Sequence, residues 1–259
     1  MRSPLRLPAA LLALLTAAGL LHAGKPPSHI LVPPEDGQAW HSDLAFATRY
    51  VDRGITLSRD TWQPGLHAAT GPWSFGLWCD LPTPRGQLSE FDPWLQYTWE
   101  EGSVIWCTGA THIWYPEASG TTLRHSTELF LSAARDWFVT PQFVVTAQFD
   151  VTYDLRLRTL YLDGRLSHAQ SLKMIGVPLD VTVAVIGGHV DARDINPDDP
   201  SFVFRDAHRW WGAQLEVAWQ ITERTTLRLL GQIDGATNVD PAQGATGNTS
   251  LVTTLGFSW

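Results

Sequence analysis

The sequence predicts an all-β protein, a transmembrane antiparallel up-and-down β-barrel of about twelve strands. Three observations support this prediction. The N-terminus has the features of a secretory signal, short segments alternate between apolar and polar residues from residue 42 onward, and the last alternating segment runs to the end of the chain. Together they indicate a protein that crosses a membrane with strands rather than helices.

Residues 1–23 have the composition of a cleavable signal. Arg2 and Arg6 give a positive start, an apolar stretch follows, and Ala23 precedes the expected cleavage site. An uncleaved anchor is the alternative, but the apolar run is short and no stop-transfer pattern follows it. We therefore expect a signal peptide at 1–23, a proline-rich periplasmic N-terminal segment at 24–41 and an outer-membrane β-barrel at 42–259.

The composition argues against several classes of partner. Hydrophobic residues make up 44% of the chain, charged residues 17%, and the formal net charge is −8. An acidic chain is a poor ligand for nucleic acid, so no nucleic-acid partner is expected. The mean hydropathy of −0.08 fits either a soluble β-rich protein or a barrel whose apolar residues are diluted by alternation. The 13 Trp residues favour the barrel, because Trp collects at membrane–water interfaces.

Alternation is clearest between Trp211 and Ile221, where every second residue is apolar. This segment is longer than the roughly five or six residues of an average sandwich strand. Trp211 and Trp219 near its two ends, and Trp73 on another segment, are the expected membrane-interface aromatics. The same pattern predicts strands near 43–56, 60–69, 72–80, 88–99, 103–114, 125–134, 141–150, 159–168, 178–189, 209–221, 225–234 and 249–259.

The lengths of the connections indicate the topology. With a periplasmic N-terminus, short connections such as 70–71 and 222–224 lie on the periplasmic side, and long ones such as 190–208 and 235–248 lie outside. Bacterial barrels have short periplasmic turns and longer external loops. The periplasmic connection at 169–177 is longer than this rule predicts.

The C-terminal segment alternates to the last residue, which is aromatic. Such an ending resembles the signal that the outer-membrane assembly machinery recognises, and we assign it to Leu255, Phe257 and Trp259. Together with the signal peptide it predicts localisation in the outer membrane. The expected partners are outer-membrane lipid and the assembly machinery.

The two cysteines lie on predicted strands that are two apart in the sheet. That places Cys79 and Cys107 about 9–10 Å apart, whereas a disulfide needs Cα atoms within about 7 Å. Export permits a disulfide chemically. We expect two free thiols that pack as small apolar side chains.

Three stretches of the sequence resemble the TorF family, a group of porin-like outer-membrane proteins. They are Arg49-Tyr50-Val51-Asp52-Arg53-Gly54-Ile55, then Leu88-Ser89-Glu90-Phe91-Asp92 with Trp114-Tyr115-Pro116, and Thr127-Glu128-Leu129. The resemblance covers most of the chain after Ser42. It implies an outer-membrane barrel and, less specifically, a porin.

If the apolar face of each strand meets lipid, the other face lines the interior, where charged side chains are tolerated. The candidate lumen-lining residues are Arg49, Asp80, Glu90, Asp92, Glu128, Asp150, Asp163, Arg165, Glu216 and Arg228. Acidic groups outnumber arginines in this set, so an open pore would prefer cations. We expect passive diffusion of small solutes, without a cofactor and without catalysis. A barrel filled by paired charges that conducts nothing is the alternative.

Other functions have weaker support in the sequence. A hydrolase would need rim residues such as His189, Asp191, Asp206 and His208 to meet, but no nucleophile elbow or triad spacing accompanies them. The acidic residues between Asp191 and Asp199 do not have EF-hand spacing, and no zinc-ligand pattern is present. A soluble secreted sandwich would explain neither the terminal segment nor the loop lengths.

Overall fold

The computed structural model of the chain describes residues 39–119, 124–140, 143–173, 176–192, 207–237 and 248–258. Consecutive strands pair, and the last strand pairs with the first to close a barrel. The predicted closed, all-antiparallel barrel of twelve strands is confirmed. Among the described residues, no helix is long and apolar enough to cross a membrane. The strands are β1 (Ala39–Asp52), β2 (Ile55–Thr70), β3 (Trp73–Pro82), β4 (Glu90–Glu101), β5 (Val104–Trp114), β6 (His125–Thr140), β7 (Phe143–Asp154), β8 (Thr159–Ser171), β9 (Leu179–Ala192), β10 (Ala207–Thr222), β11 (Thr225–Thr237) and β12 (Asn248–Ser258).

All twelve strands correspond to predicted ones, and the first is displaced as a whole by four residues toward the N-terminus. β1 was expected at 43–56 but runs from Ala39 to Asp52, so Ala39, Trp40 and His41 belong to the barrel wall. It ends early because Arg53 and Gly54 both have positive φ, 48° and 80°, and form a two-residue turn. The predicted signal peptide and residues 24–38 lie outside the described residues.

The strand register determines the shape of the barrel. When the pairings are followed once around the wall, the register shifts by about 16 residues along β1. With ordinary strand spacing, this shift tilts the strands by about 40° and makes the backbone barrel roughly 25 Å wide. Such a barrel is wider than one that its wall side chains alone fill, so its interior has room for further structure.

Period-two alternation gives the wall two different faces. Along β10, Leu215 and Trp219 are about half exposed on the outside, while Gln214, Glu216 and Ala218 are buried inside. The outer face contains other exposed apolar side chains, including Val185 on β9, and so presents a surface suited to lipid. The connections between strands lie at the two ends of the barrel. We call the end with the longer connections after β5, β9 and β11 the long-loop end, and the opposite end the short-turn end.

Both cysteines are free and buried, as expected. Cys79 lies on β3 and Cys107 on β5, with β4 between them. Cys107 packs with Phe130 and Ala134 of the neighbouring β6.

A charged side chain placed on the outer face should destabilise the barrel more the closer it lies to the middle of the membrane. Leu215→Arg places a charge at the middle of β10, where lipid offers it no partner, and should lower the free energy of unfolding by about 2–4 kcal/mol. Ile221→Arg, on the same face near the strand end, should cost at most about 1 kcal/mol. The measurement is equilibrium unfolding of the refolded protein in lipid vesicles. Equal costs for the two substitutions would contradict the membrane-spanning assignment of this face.

Candidate functional site

The turn between β1 and β2 folds into the mouth of the barrel at the long-loop end. Asp52 pairs with Ile55 across the turn, and the two positive φ angles at Arg53 and Gly54 match the type I′ geometry that suits a two-residue hairpin. Position 54 requires glycine for a second reason. An added Cβ would lie 2.9 Å from the Cβ of Ala236 and 3.2 Å from that of Trp210, on strands β11 and β10. The turn is therefore packed against a part of the wall that is not its sheet neighbour.

A hydrogen bond fastens the backbone of this turn to the wall. The Arg53 carbonyl oxygen lies 3.2 Å from Nε2 of His208, the second residue of β10. A carbonyl oxygen can only accept, so Nε2 of His208 carries the hydrogen. The adjacent β9 is tied in the same way, with Nδ1 of His189 3.1 Å from the His208 carbonyl oxygen.

The Arg53 side chain reaches three carboxylates. Its Nε lies 3.1 Å from Oδ2 of Asp163 on β8, and its Nη1 lies 3.3 Å from Oδ2 of Asp52 and 3.8 Å from Oε1 of Glu128 on β6. The guanidinium carbon stacks 3.7 Å from the ring centroid of Tyr161. We call Asp52, Glu128 and Asp163 the carboxylate cage. Because β6 and β8 lie on the far side of the barrel from β1, the cage spans its interior.

The electrostatics of the cage keep Arg53 charged. Burial of the guanidinium lowers its pKa, but the carboxylates of Asp52, Asp163 and Glu128 raise it by more, so the pKa of Arg53 lies well above its ordinary value. A residue beyond the cage also positions Asp163. The Trp210 indole N–H donates to Oδ1 of Asp163 over 3.0 Å, which leaves Oδ2 for Arg53. The result is a partly buried ion cluster fixed by several strands.

The sequence motifs behind the family resemblance meet beside the cage. Tyr50 of the first motif is fully buried, with its ring edge-on to Trp78 at 5.3 Å, and it interacts electrostatically with Asp52 and Glu90. Tyr115, in the connection after β5, hydrogen-bonds to Glu90. Burial, together with the neighbouring carboxylates of Glu90 and Asp92, raises the pKa of Tyr115 well above its ordinary value. Tyr50 thus meets residues 40 and 65 positions further along the chain, Glu90 and Tyr115, in one layer of the interior.

The predicted lumen-lining residues occupy several levels of the barrel. Glu128 and Asp163 meet in the carboxylate cage. Six acidic residues are at most 5% exposed as whole residues, namely Asp80, Glu90, Asp92, Glu128, Asp150 and Glu216. Arg49 is half-buried and pairs with Arg59 just before the register of β1 with β2 shifts. These positions are compatible with an inner lining, and their role along a solute path stays a prediction.

A polar ladder links three strands inside the wall. Arg165 Nη1 donates to Gln214 Oε1 over 2.6 Å, Gln214 Nε2 donates to Gln232 Oε1 over 2.6 Å, and Gln232 Nε2 donates to Asp234 Oδ1 over 2.7 Å. Each of these hydrogen bonds gives a partner to polar atoms that are shielded from water. On β3, Asp80 is satisfied similarly by hydroxyl and amide groups of β2.

A small cavity lies near the short-turn end, where the barrel closes. It has a volume of about 50 Å³, and its lining includes His41, Asp43, His67 and Arg228. The rings of His41 and His67 stack with their centroids 5.0 Å apart. Arg228, a predicted lumen residue, therefore lines a cavity at the end of the barrel opposite the carboxylate cage.

The rim residues considered for hydrolysis have structural contacts. His189 and His208 each donate a ring N–H to a backbone carbonyl, and Asp206 lies outside the described residues. Three of the aspartates considered for calcium, Asp194, Asp198 and Asp199, also lie outside them. Within the described ranges, no group of three or more His, Cys, Asp or Glu side chains could hold a metal ion.

The predicted interface aromatics point outward. Trp73, Trp211 and Trp219 are 46–54% exposed and lie near strand ends, with Trp211 toward the long-loop end and the other two toward the short-turn end. Leu255 and Phe257 of the predicted assembly signal belong to β12, which pairs with β1, and Trp259 lies outside the described residues. Recognition by assembly machinery stays a prediction.

Sequence reasoning missed Arg53, Asp52 and Tyr161 as interior residues. Arg53 and Asp52 were placed inside the predicted strand 43–56, whose alternation hid the turn. The Arg-Gly pair was the available signal, because a Gly after a polar residue favours a two-residue hairpin with positive φ. Nothing in the sequence indicated that Tyr161 would face the guanidinium.

Solved structures similar to this chain include outer-membrane β-barrels. LpxR from Salmonella typhimurium has a TM-score of 0.52 at 8% identity, covering 85% of this chain and 99% of that one. The translocator domain of the autotransporter NalP from Neisseria meningitidis has a TM-score of 0.50 at 12% identity, covering 86% and 89%. The COG4313 outer membrane channel from Pseudomonas putida F1 has a TM-score of 0.47 at 12% identity, covering 88% and 100%. At these identities the likeness shows the fold alone.

No protein-family model matches the chain, and no curated protein matches it. The resemblance to the TorF family therefore stays a prediction.

The packing of the turn predicts that two glycine-to-alanine substitutions destabilise the protein to different extents. Gly54→Ala combines a positive φ with a clash against Ala236 and Trp210, whereas Gly71→Ala has a similar φ of 54° and nothing within 4 Å. Gly71→Ala should cost about 1–2 kcal/mol for backbone strain alone, and Gly54→Ala roughly 1–3 kcal/mol more. Thermal midpoints from gel migration of unheated and heated samples measure the difference. Equal midpoints would show that the turn does not pack against the wall.

Proposed function

We propose that this chain is an outer-membrane channel through which small solutes diffuse passively. One observation carries the proposal: a closed wall with exposed apolar side chains outside encloses an interior lined with ionisable side chains. A filled soluble barrel would need the reverse arrangement. Export by the signal segment, an outer-membrane location and a porin-like role, as the TorF resemblance implies, belong to the same proposal.

The path through this channel is narrow and acidic. Asp92 and Gln96 have no exposed surface, and Glu90 and Glu128 have at most 5%. At the long-loop end the β1–β2 turn and Arg53 span the interior between β1, β6 and β8. Acidic side chains outnumber arginines on the inner face, which favours cations over anions.

The second candidate is a filled barrel that conducts nothing. The polar ladder from Arg165 to Asp234 and the low exposure of the inner carboxylates favour it, because both reduce the space for water. The two candidates share the wall and differ only in whether a continuous aqueous path exists.

Conductance in planar bilayers decides between them. We expect small, discrete current steps from folded protein and, in a salt gradient, a reversal potential of the sign that marks cation preference. The control is the same preparation after boiling, which should give no steps. Protein that shows a heat-dependent gel shift but produces no steps above background would overturn the channel and favour the filled barrel.

A further inference from the structure

We propose that the carboxylate cage is a binding site for solutes that carry a guanidinium or ammonium group, and that Arg53 occupies it as a tethered competitor. Binding at the cage is independent of conduction, whereas its effect on transport rests on the proposed channel function. The proposal identifies organic cations as the solute class and the β1–β2 turn as the element that limits their passage.

The geometry of the cage suits such a cation. Asp163 and Glu128 project from the strands β8 and β6 toward one point, and Asp52 at the end of β1 completes the set. The Tyr161 ring covers one face of the bound guanidinium at 3.7 Å. Carboxylates at the edge and an aromatic ring on the face recognise planar guanidinium groups and, less strictly, ammonium groups.

A second observation points to a ligand. Among the described residues, the Tyr50 hydroxyl is buried without a hydrogen-bond partner, although Tyr50 interacts electrostatically with Asp52 of the cage. A buried hydroxyl without a partner costs free energy, and its oxygen can accept a hydrogen bond from an N–H group. We expect an N–H donor of a cation held beside Asp52 to reach this hydroxyl.

We expect a solute cation to replace the Arg53 guanidinium in the cage, rather than the guanidinium to leave and the cage to stay empty. Removing the guanidinium alone would take the Arg53 charge away from three carboxylates that it contacts, which is costly. A solute cation that enters as Arg53 leaves keeps the carboxylates paired throughout. The exchange requires only a new rotamer of the Arg53 side chain, because its backbone carbonyl remains bonded to His208.

The first experiment measures binding at the cage without using conduction. Arg53→Ala should lower the thermal midpoint of the folded barrel by roughly 5–10 °C, because it leaves the cage without its cation. Ethylguanidinium at about 10 mM should then raise the midpoint of this variant by roughly 3–5 °C and leave the wild type almost unchanged. Ethylurea, which has a similar shape and no charge, should raise neither.

Arg135→Ala is the matched control variant. Arg135 also stacks on an aromatic ring, that of Trp137 at 4.5 Å, but on an exposed part of β6 away from the cage. Ethylguanidinium should not change its midpoint. If Arg53→Ala yields no folded barrel, Arg53→Gln carries the same test, because its amide N–H groups can donate to the carboxylates while the missing charge leaves the cage open to a cation. A midpoint insensitive to ethylguanidinium in the folded variant that is tested overturns the proposal.

The second experiment measures current through the same proteins. Arg53→Ala should conduct in larger steps than the wild type, and ethylguanidinium should reduce those steps. If ethylguanidinium stabilises Arg53→Ala but neither protein conducts, the cage binds cations and the channel proposal falls. If both proteins conduct alike and ethylguanidinium changes neither current nor midpoint, the channel stands and the cage proposal is overturned.

Discussion

The structure depends on one constraint, that every backbone N–H and C=O group in the apolar part of a membrane must have a partner. A sheet satisfies it only if the first strand pairs with the last. Here β1 pairs with β12 over seven positions, from His41 with Ser258 to Ala47 with Val252. The chain must therefore return to its starting strand at its very end. The tilt, the width and the existence of an enclosed interior all follow from this closure.

An enclosed interior in turn decides what its side chains can be. The outward face must be apolar, so the charged residues that alternate with it are directed inward and lose their water. Close partners offset part of this desolvation cost, as in the carboxylate cage and in the ladder from Arg165 to Asp234. The inward-folded turn at Arg53 supplies the cation that the cage requires. Wall and interior thus result from the same alternation.

The sequence predicts the wall much better than the interior. Alternation is a local property of consecutive residues, so it located all twelve strands, including Trp211 to Ile221. It failed at Arg53, where a tight turn interrupts the pattern without a visible break in polarity. The cage joins Arg53 to a residue 110 positions away, and such contacts depend on strand register and barrel closure. Glu128 and Asp163 could be placed on the inner face from the sequence, but not beside each other.

The wall and the interior can vary separately. The pairing of β1 with β2 extends from Ala39 with Ala69 to Asp52 with Ile55, and backbone atoms alone supply it. The side chain at position 53 takes no part in that pairing, although it contributes a positive charge at the long-loop end. Barrels with 8–12% identity to this chain can therefore share its fold. For this reason we expect functional differences between such barrels to arise inside them, where this chain has the cage around Arg53.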